Sequence, residues 1–260
     1  MRWPAIARLL LAVGLGGLAG VKADEATARQ ELDACLTRCN ALLRQSFTLP
    51  VKSPEINALI SQQVSQKTQQ AFGNPLQITV SHFTYTHAAT GGTIYTHLSN
   101  LPAAQAEMME KQANQLIQGS AVGQMLEVVA FDALKEGILY LNAQKAQCVL
   151  RKETPEAVDF SLSGGNQELM PGLQLKESWF RLDRKAKAVT GIQFRFANGK
   201  SMMARVMYAE VRLPGGGSAP VPKTAEITQD ALTTPQDGVT VPAKVTVQYG
   251  ACTFLPAAGG

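Results

Sequence analysis

Residues 189–211 read VTGIQFRFANGKSMMARVMYAEV, and this stretch decides the fold. Ile192, Phe194 and Phe196 alternate with Gln193 and Arg195, the period of a strand with one buried face. Asn198-Gly199 marks a hairpin turn, with positive φ expected at both central residues. Beyond it, Met202, Ala204, Val206 and Tyr208 alternate with Met203, Met207 and Val211. A strand apolar on both sides is predicted to be central and covered on both faces.

Working outward, strands are predicted over 173–182, 189–196, 201–212 and 220–228, an antiparallel meander with a looser turn at residues 213–218. Val158, Phe160 and Leu162 alternate with Asp159 and Ser161, and Val245, Val247 and Tyr249 with Thr246 and Gln248. Upstream the period changes to that of helices. Leu32, Cys35, Leu36, Cys39, Leu42 and Leu43 form one stripe of a helix over 26–46. Ser53-Pro54 reads as an N-cap and first-turn proline for a helix over 55–72, stopped by Gly73-Asn74-Pro75. Residues 76–98 read as a hairpin about Gly91-Gly92, and Pro102 opens a helix over 103–118. Met125–Leu141 reads as helix up to about Glu136. The fold class is therefore α+β, one domain over 24–260, helical over 24–136 and a β-meander over 137–255.

The first 23 residues stand apart. Arg2 and Arg8 bracket a basic start, LLLAVGLGGLAG follows, and Val21-Lys22-Ala23 ends in small residues. This is the pattern of a secretory signal peptide cleaved after Ala23, with Ala19 as the alternative site. The apolar run is short for a membrane-spanning helix. Three of the 24 Lys and Arg residues lie in it, so the mature chain carries 21 against 20 acids. Near-neutrality removes the electrostatic basis for nucleic-acid binding. In a bacterium the expected compartment is the periplasm.

That compartment suits disulfides, and Cys35, Cys39, Cys148 and Cys252 allow two. Bridges from the first helix to Cys148 and Cys252 are favoured, because a link between residues four apart distorts a helix. Cys35–Cys39 with Cys148–Cys252 is the alternative.

Signals for catalysis are weak. No nucleophile elbow, zincin motif, phosphate loop or dinucleotide fingerprint occurs. His82, His87 and His97 share one hairpin, but strand parity sends His82 and His87 to opposite faces. They read as exposed polar positions. Glu153 with Glu156, or Asp183 with Glu177, are chance acid pairs of a sheet protein. Met170, Met202, Met203 and Met207 suit either an adaptable apolar surface or ordinary core. No enzyme activity, metal or cofactor is expected.

Three segments carry a resemblance: Trp179-Phe180-Arg181-Leu182-Asp183, Val189 to Lys200, and Val206-Met207-Tyr208-Ala209-Glu210-Val211. With Pro235-Gln236-Asp237-Gly238-Val239, this part of the chain, about the last 85 residues, resembles the LolA/LolB-type lipoprotein carriers. The helical residues 24–75 and the cysteine pair depart from that pattern. The resemblance implies a curved antiparallel sheet, an incomplete barrel, covered by the N-terminal and central helices. It implies lipid binding and transport, with acyl chains of a hydrophobic ligand or lipoprotein held between sheet and helices. The lining it implies is Trp179, Ile192, Phe194, Phe196, Val206, Tyr208, Val245 and Val247. A structural or interaction protein of the envelope, with a closed core and a protein partner, is the competing reading; a hydrolase ranks last.

N-terminal sequencing of the exported protein is expected to begin at Asp24, or at Gly20 for the alternative site. Retention of Met1 would remove the periplasmic assignment.

Overall fold

The computed structural model describes residues 25–72, 78–88, 91–101, 103–117, 133–163, 168–170, 173–230 and 242–256. The signal-like segment, Pro75 and residues 235–239 lie outside them. Helix α1 (Glu25–Leu43) buries Leu32, Cys35, Leu36, Cys39 and Leu42, the stripe read from the sequence. Helix α2 (Pro54–Phe72) starts as its residues dictate. The Ser53 hydroxyl accepts the Ile56 N–H at 3.4 Å, and the Asn57 side chain accepts the Ser53 N–H at 3.3 Å. Helices α3 (Ala103–Ile117) and α4 (Ala133–Gln144) follow. Helix α4 runs well past Glu136, so residues 137–144 are helical and not part of the meander. Among the described residues no helix is long and apolar enough to cross a membrane.

Twelve strands make one antiparallel sheet: β1 (Phe47–Lys52), β2 (Thr79–Ala88), β3 (Gly91–Ser99), β4 (Val149–Glu153), β5 (Ala157–Ser163), β6 (Glu168–Met170), β7 (Leu173–Asp183), β8 (Ala188–Phe196), β9 (Ser201–Arg212), β10 (Ser218–Gln229), β11 (Lys244–Tyr249) and β12 (Thr253–Phe254). The order is β3-β2-β1-β11-β10-β9-β8-β7-β5-β4, with β12 on β1 and β6 on β7. The sheet is curved and does not close. Of the Asn198-Gly199 turn only Gly199 takes positive φ, at 83°.

Strand β1 is absent from the sequence reading, because Pro50 sits in its middle and proline removes a ladder donor. The structure shows why it is tolerated. On one side β1 pairs β2 throughout, Pro50 lying opposite Thr84. On the other, Phe47 and Thr48 pair β12 while Val51 and Lys52 pair β11. Pro50 falls in the gap, and its carbonyl accepts the Gly250 N–H at 2.8 Å. A Cβ on Gly250 would lie 2.9 Å from the proline ring, so the gap needs glycine there.

Strand β9 is central, but only one of its faces is covered. Met202 and Val206 are buried, whereas Arg205, Met207 and Ala209 on the other face are exposed. Helix α1 packs on β8 and β10, α2 on β2 and β11, α3 on β3, and α4 on β8. Helices α1, α2 and α4 cover one side, and α3 lies along the outer edge of β3.

The outer edge of β3 is closed by side chains. Asn114 of α3 accepts the Thr96 N–H at 2.7 Å and donates to the Thr96 carbonyl at 3.1 Å. Glu110 accepts the Leu98 N–H at 2.9 Å. Asn114 is buried, so truncating it strands backbone groups away from water, at about 1–3 kcal/mol. Asn114→Ala is expected to lose stability of that order in urea unfolding; an unchanged midpoint would mean that α3 does not cap the edge.

Candidate functional site: the covered face of the sheet

Directly opposed residues of antiparallel strands share a face. Phe47, Leu49 and Val51 oppose His87, Tyr85 and Phe83. Val51 opposes Tyr249. Val247 and Val245 oppose Ala225 and Ile227, which oppose Val206 and Ala204. Ala204 and Met202 oppose Ile192 and Phe194, which oppose Phe180 and Ser178. Phe160 opposes Phe180. One unbroken, largely apolar face therefore runs from β2 to β5.

Seven of the eight residues expected to line a site lie on it: Ile192, Phe194, Phe196, Val206, Tyr208, Val245 and Val247. Six are buried and Tyr208 is partly so, its hydroxyl donating to the Val189 carbonyl at 2.9 Å. Burial pushes the Tyr208 hydroxyl pKa well up. Trp179 is placed elsewhere. It opposes Gln193, on the other face from Phe194 and Phe196, and the Arg151 guanidinium lies 5.9 Å from its ring centroid. Its position in the alternation Glu177-Trp179-Arg181 carries that signal, since Arg181 is exposed.

The helices hold this face by different means. Helix α1 is tied by ion pairs: Glu31 to Arg184 at 3.0 Å, and Arg38 to Glu210 of β9. Helix α2 is tied by backbone capping, Asn57 donating to the Ser81 carbonyl at 2.8 Å and Ser61 accepting the Val80 N–H at 2.9 Å. Helix α4 meets the sheet mainly through apolar contact, with one long hydrogen bond from the Tyr140 hydroxyl to the Ser163 carbonyl of β5 at 3.4 Å. Gly137 lies on Ile192 and Phe194 so closely that a Cβ there would be 3.2 Å from the first and 3.4 Å from the second. Ile138, Tyr140 and Leu141 beside it are buried. Sequence reading missed Gly137, although a glycine inside a helix usually marks close packing.

The polar groups do not converge on a reaction centre. His82 and His97 stack across the hairpin, centroids 4.4 Å apart, and burial with the neighbouring His97 lowers the His82 pKa. His87, read as exposed, is buried, and its Nε2 lies 2.9 Å from the Leu43 carbonyl. Glu153 pairs with Arg184 and Glu177 with Arg195, while Asp183 accepts the Ala186 N–H, so neither suggested acid pair forms. Among the methionines Met202 is buried and Met207 is exposed; the Met170 side chain lies outside the described residues.

The expected disulfides are not formed: all four cysteines are free thiols. Cys35 and Cys39 are both buried on the stripe of α1 that faces the sheet. Cys148 lies just before edge strand β4, where its carbonyl accepts from Arg29 at 2.9 Å. Cys252 lies just before β12, and six strands separate β4 from β1 in the sheet order. Burial pushes the Cys148 and Cys252 thiols each up to about 11.

No protein-family model matches the chain, and no curated protein matches it. Solved structures similar to it include the following two. A LolA superfamily protein from Nitrosomonas europaea is 9% identical, with 87% of this chain and 94% of that chain covered and a TM-score of 0.34. A domain described as an outer membrane lipoprotein-sorting protein, from Vibrio parahaemolyticus, is 9% identical, with 89% and 95% covered and a TM-score of 0.34.

Replacing Gly137 by leucine is expected to lift α4 from the sheet. Amide exchange over 133–144 should accelerate while β8 and β9 stay protected. Unchanged protection of α4 would show that the close approach is not what seats it.

Proposed function

We propose that this protein is an exported, non-enzymatic carrier or sensor in the periplasm that holds a hydrophobic chain between the sheet and its helices. One observation carries the reading: a single apolar face, spanning most of the sheet, is roofed by separate helices on that one side. A helix that rests on apolar contact can be exchanged for another apolar body. Helix α4 is the exchangeable cover, with Ile192, Phe194 and Phe180 beneath it, the last two rings edge to face at 6.3 Å.

The magnitudes set a length for the ligand. Each of the three buried α4 side chains is worth ~1.5–3 kcal/mol, and each methylene ~0.8 kcal/mol. Displacing Ile138, Tyr140 and Leu141 therefore takes about 6–11 methylenes. Acyl chains of a lipid or lipoprotein reach that length; short metabolites do not. Transfer needs no covalent step, because the helix and the chain compete for the same surface.

The complete burial of Val245 and Val247 on β11, the strand that α2 covers, favours a second reading, a closed envelope protein that engages a protein partner and no ligand. A fluorescent fatty-acid series separates the two. Saturable binding is expected to strengthen with chain length and to disappear in a folded Phe194→Glu variant, with lipid recovered by extraction of protein purified from its native envelope. No saturable binding, or equal binding by Phe194→Glu, leaves the closed reading.

A further inference from the structure

Ser178 is a polar residue on the apolar face. It lies on β7, directly opposite Phe194 of β8 and Leu162 of β5, with Phe180 two residues on. It is 0% exposed, and among the described residues its hydroxyl has no hydrogen-bond partner. A hydroxyl taken out of water and left unpaired works against the fold.

Helix α4 covers it. Gly137 rests on Phe194, and the Tyr140 hydroxyl, about one turn on, gives its proton to the Ser163 carbonyl of β5 at 3.4 Å. Ser178 sits between those two contacts in the sheet order. Burial raises the Tyr140 pKa and Ser178 close by pulls against it, but the two hydroxyls fall outside hydrogen-bond geometry. The Thr96 hydroxyl and the Trp179 Nε1 are unpartnered too. Helix α3, however, is fastened to Thr96 by two Asn114 hydrogen bonds, and Trp179 is on the outer face. Only over Ser178 can the cover lift.

A hydroxyl proton asks for an acceptor. A buried carboxylate needs a cation, and Leu162, Phe180 and Phe194 around Ser178 supply none. A neutral carbonyl fits. Resting on the carrier reading above, we propose that Ser178 anchors the ester or amide carbonyl of an acyl chain and so selects acylated molecules over plain hydrocarbons. The chain displaces α4, Tyr140 leaves with the helix, and Ser178 stays on the sheet to donate to the carbonyl. The alkyl part then covers Phe194 and Ile192, the side chains on which Gly137 rests. The hydroxyl is unsatisfied in the empty protein and satisfied in the loaded one.

The test compares the mature chain with Ser178→Ala and Ser178→Cys, the second keeping a side chain of similar shape but only a weak donor. Methyl dodecanoate and dodecane are each titrated to displace a bound fluorescent fatty acid. Both substitutions should lower the preference for the ester over the alkane, Ser178→Ala by about two- to twelvefold, the worth of one neutral hydrogen bond. Dodecane binding should not change. Without ligand, Ser178→Ala should raise the urea midpoint, because an unsatisfied buried group is removed. An unchanged ester preference in either folded variant overturns the assignment, while saturable binding by all three chains keeps the carrier reading. A midpoint that does not rise also overturns it, since the hydroxyl is then satisfied by bound water in the empty protein. No displaceable binding by the unaltered chain removes the carrier reading and this assignment with it.

Discussion

The structure depends on one constraint: an open sheet with a single apolar face has to be roofed from one side. Ten strands along the main path, spaced ~4.8 Å, make a surface about 43 Å across. A helix with its side chains is ~10–12 Å wide, so no single helix can roof that surface. The other face needs no roof, because Arg181, Gln193, Arg195 and Arg205 alternate out of it. Removing any one helix uncovers hydrocarbon at once. A protein built this way has its binding surface and its core in the same place.

Edges are the second liability of an open sheet, since unpaired backbone groups invite another strand. The two ends solve it differently. At β3 the helix α3 supplies Asn114 and Glu110, whose side chains take the places a neighbouring strand would fill. At β4 the strand is short and carries Arg151, Lys152 and Glu153, charges that oppose further pairing. Glu153 also meets Arg184, which reaches Glu31 of α1. One guanidinium between two carboxylates thus fastens the first helix to the far edge of the sheet. Its partial burial makes that network worth more than the exposed Lys145–Asp33 pair.

Much of this was legible because period and parity are local properties. The stripe of α1, the Ser53-Pro54 start of α2, and the alternations at 158–162, 192–196 and 245–249 all fold as their spacing dictates. What was not legible depends on partners distant in sequence. Pro50 argued against a strand until the gap between β11 and β12 supplied a place for it. Strand β9 looked two-sided, yet Met207 on its outer face is exposed and Met203 only half-buried. Trp179 was grouped with Phe194 by hydrophobicity, although its own alternation with Glu177 and Arg181 puts it on the outer face under Arg151. His87 was read as exposed from its threonine-rich neighbours, and it is buried because the end of α1 offers it the Leu43 carbonyl.

The cysteines show how compartment and geometry compete. An oxidising compartment favours bridges, and the sequence alone placed them between helix and sheet. Sheet order sets Cys148 and Cys252 in different regions, and α1 buries Cys35 and Cys39 on one stripe. Burial then raises the Cys148 and Cys252 thiols to about 11, which keeps both protonated at neutral pH and slow as nucleophiles. Within the α1 pair the neighbouring Cys39 and burial push the Cys35 thiol up, while the neighbouring Cys35 lowers Cys39. Closing a disulfide between Cys35 and Cys39 takes an oxidant and would distort the helix that the Glu31 and Arg38 ion pairs hold against the sheet. The same ties that keep α1 fixed on the apolar face therefore hold its two cysteines on one buried stripe against the sheet.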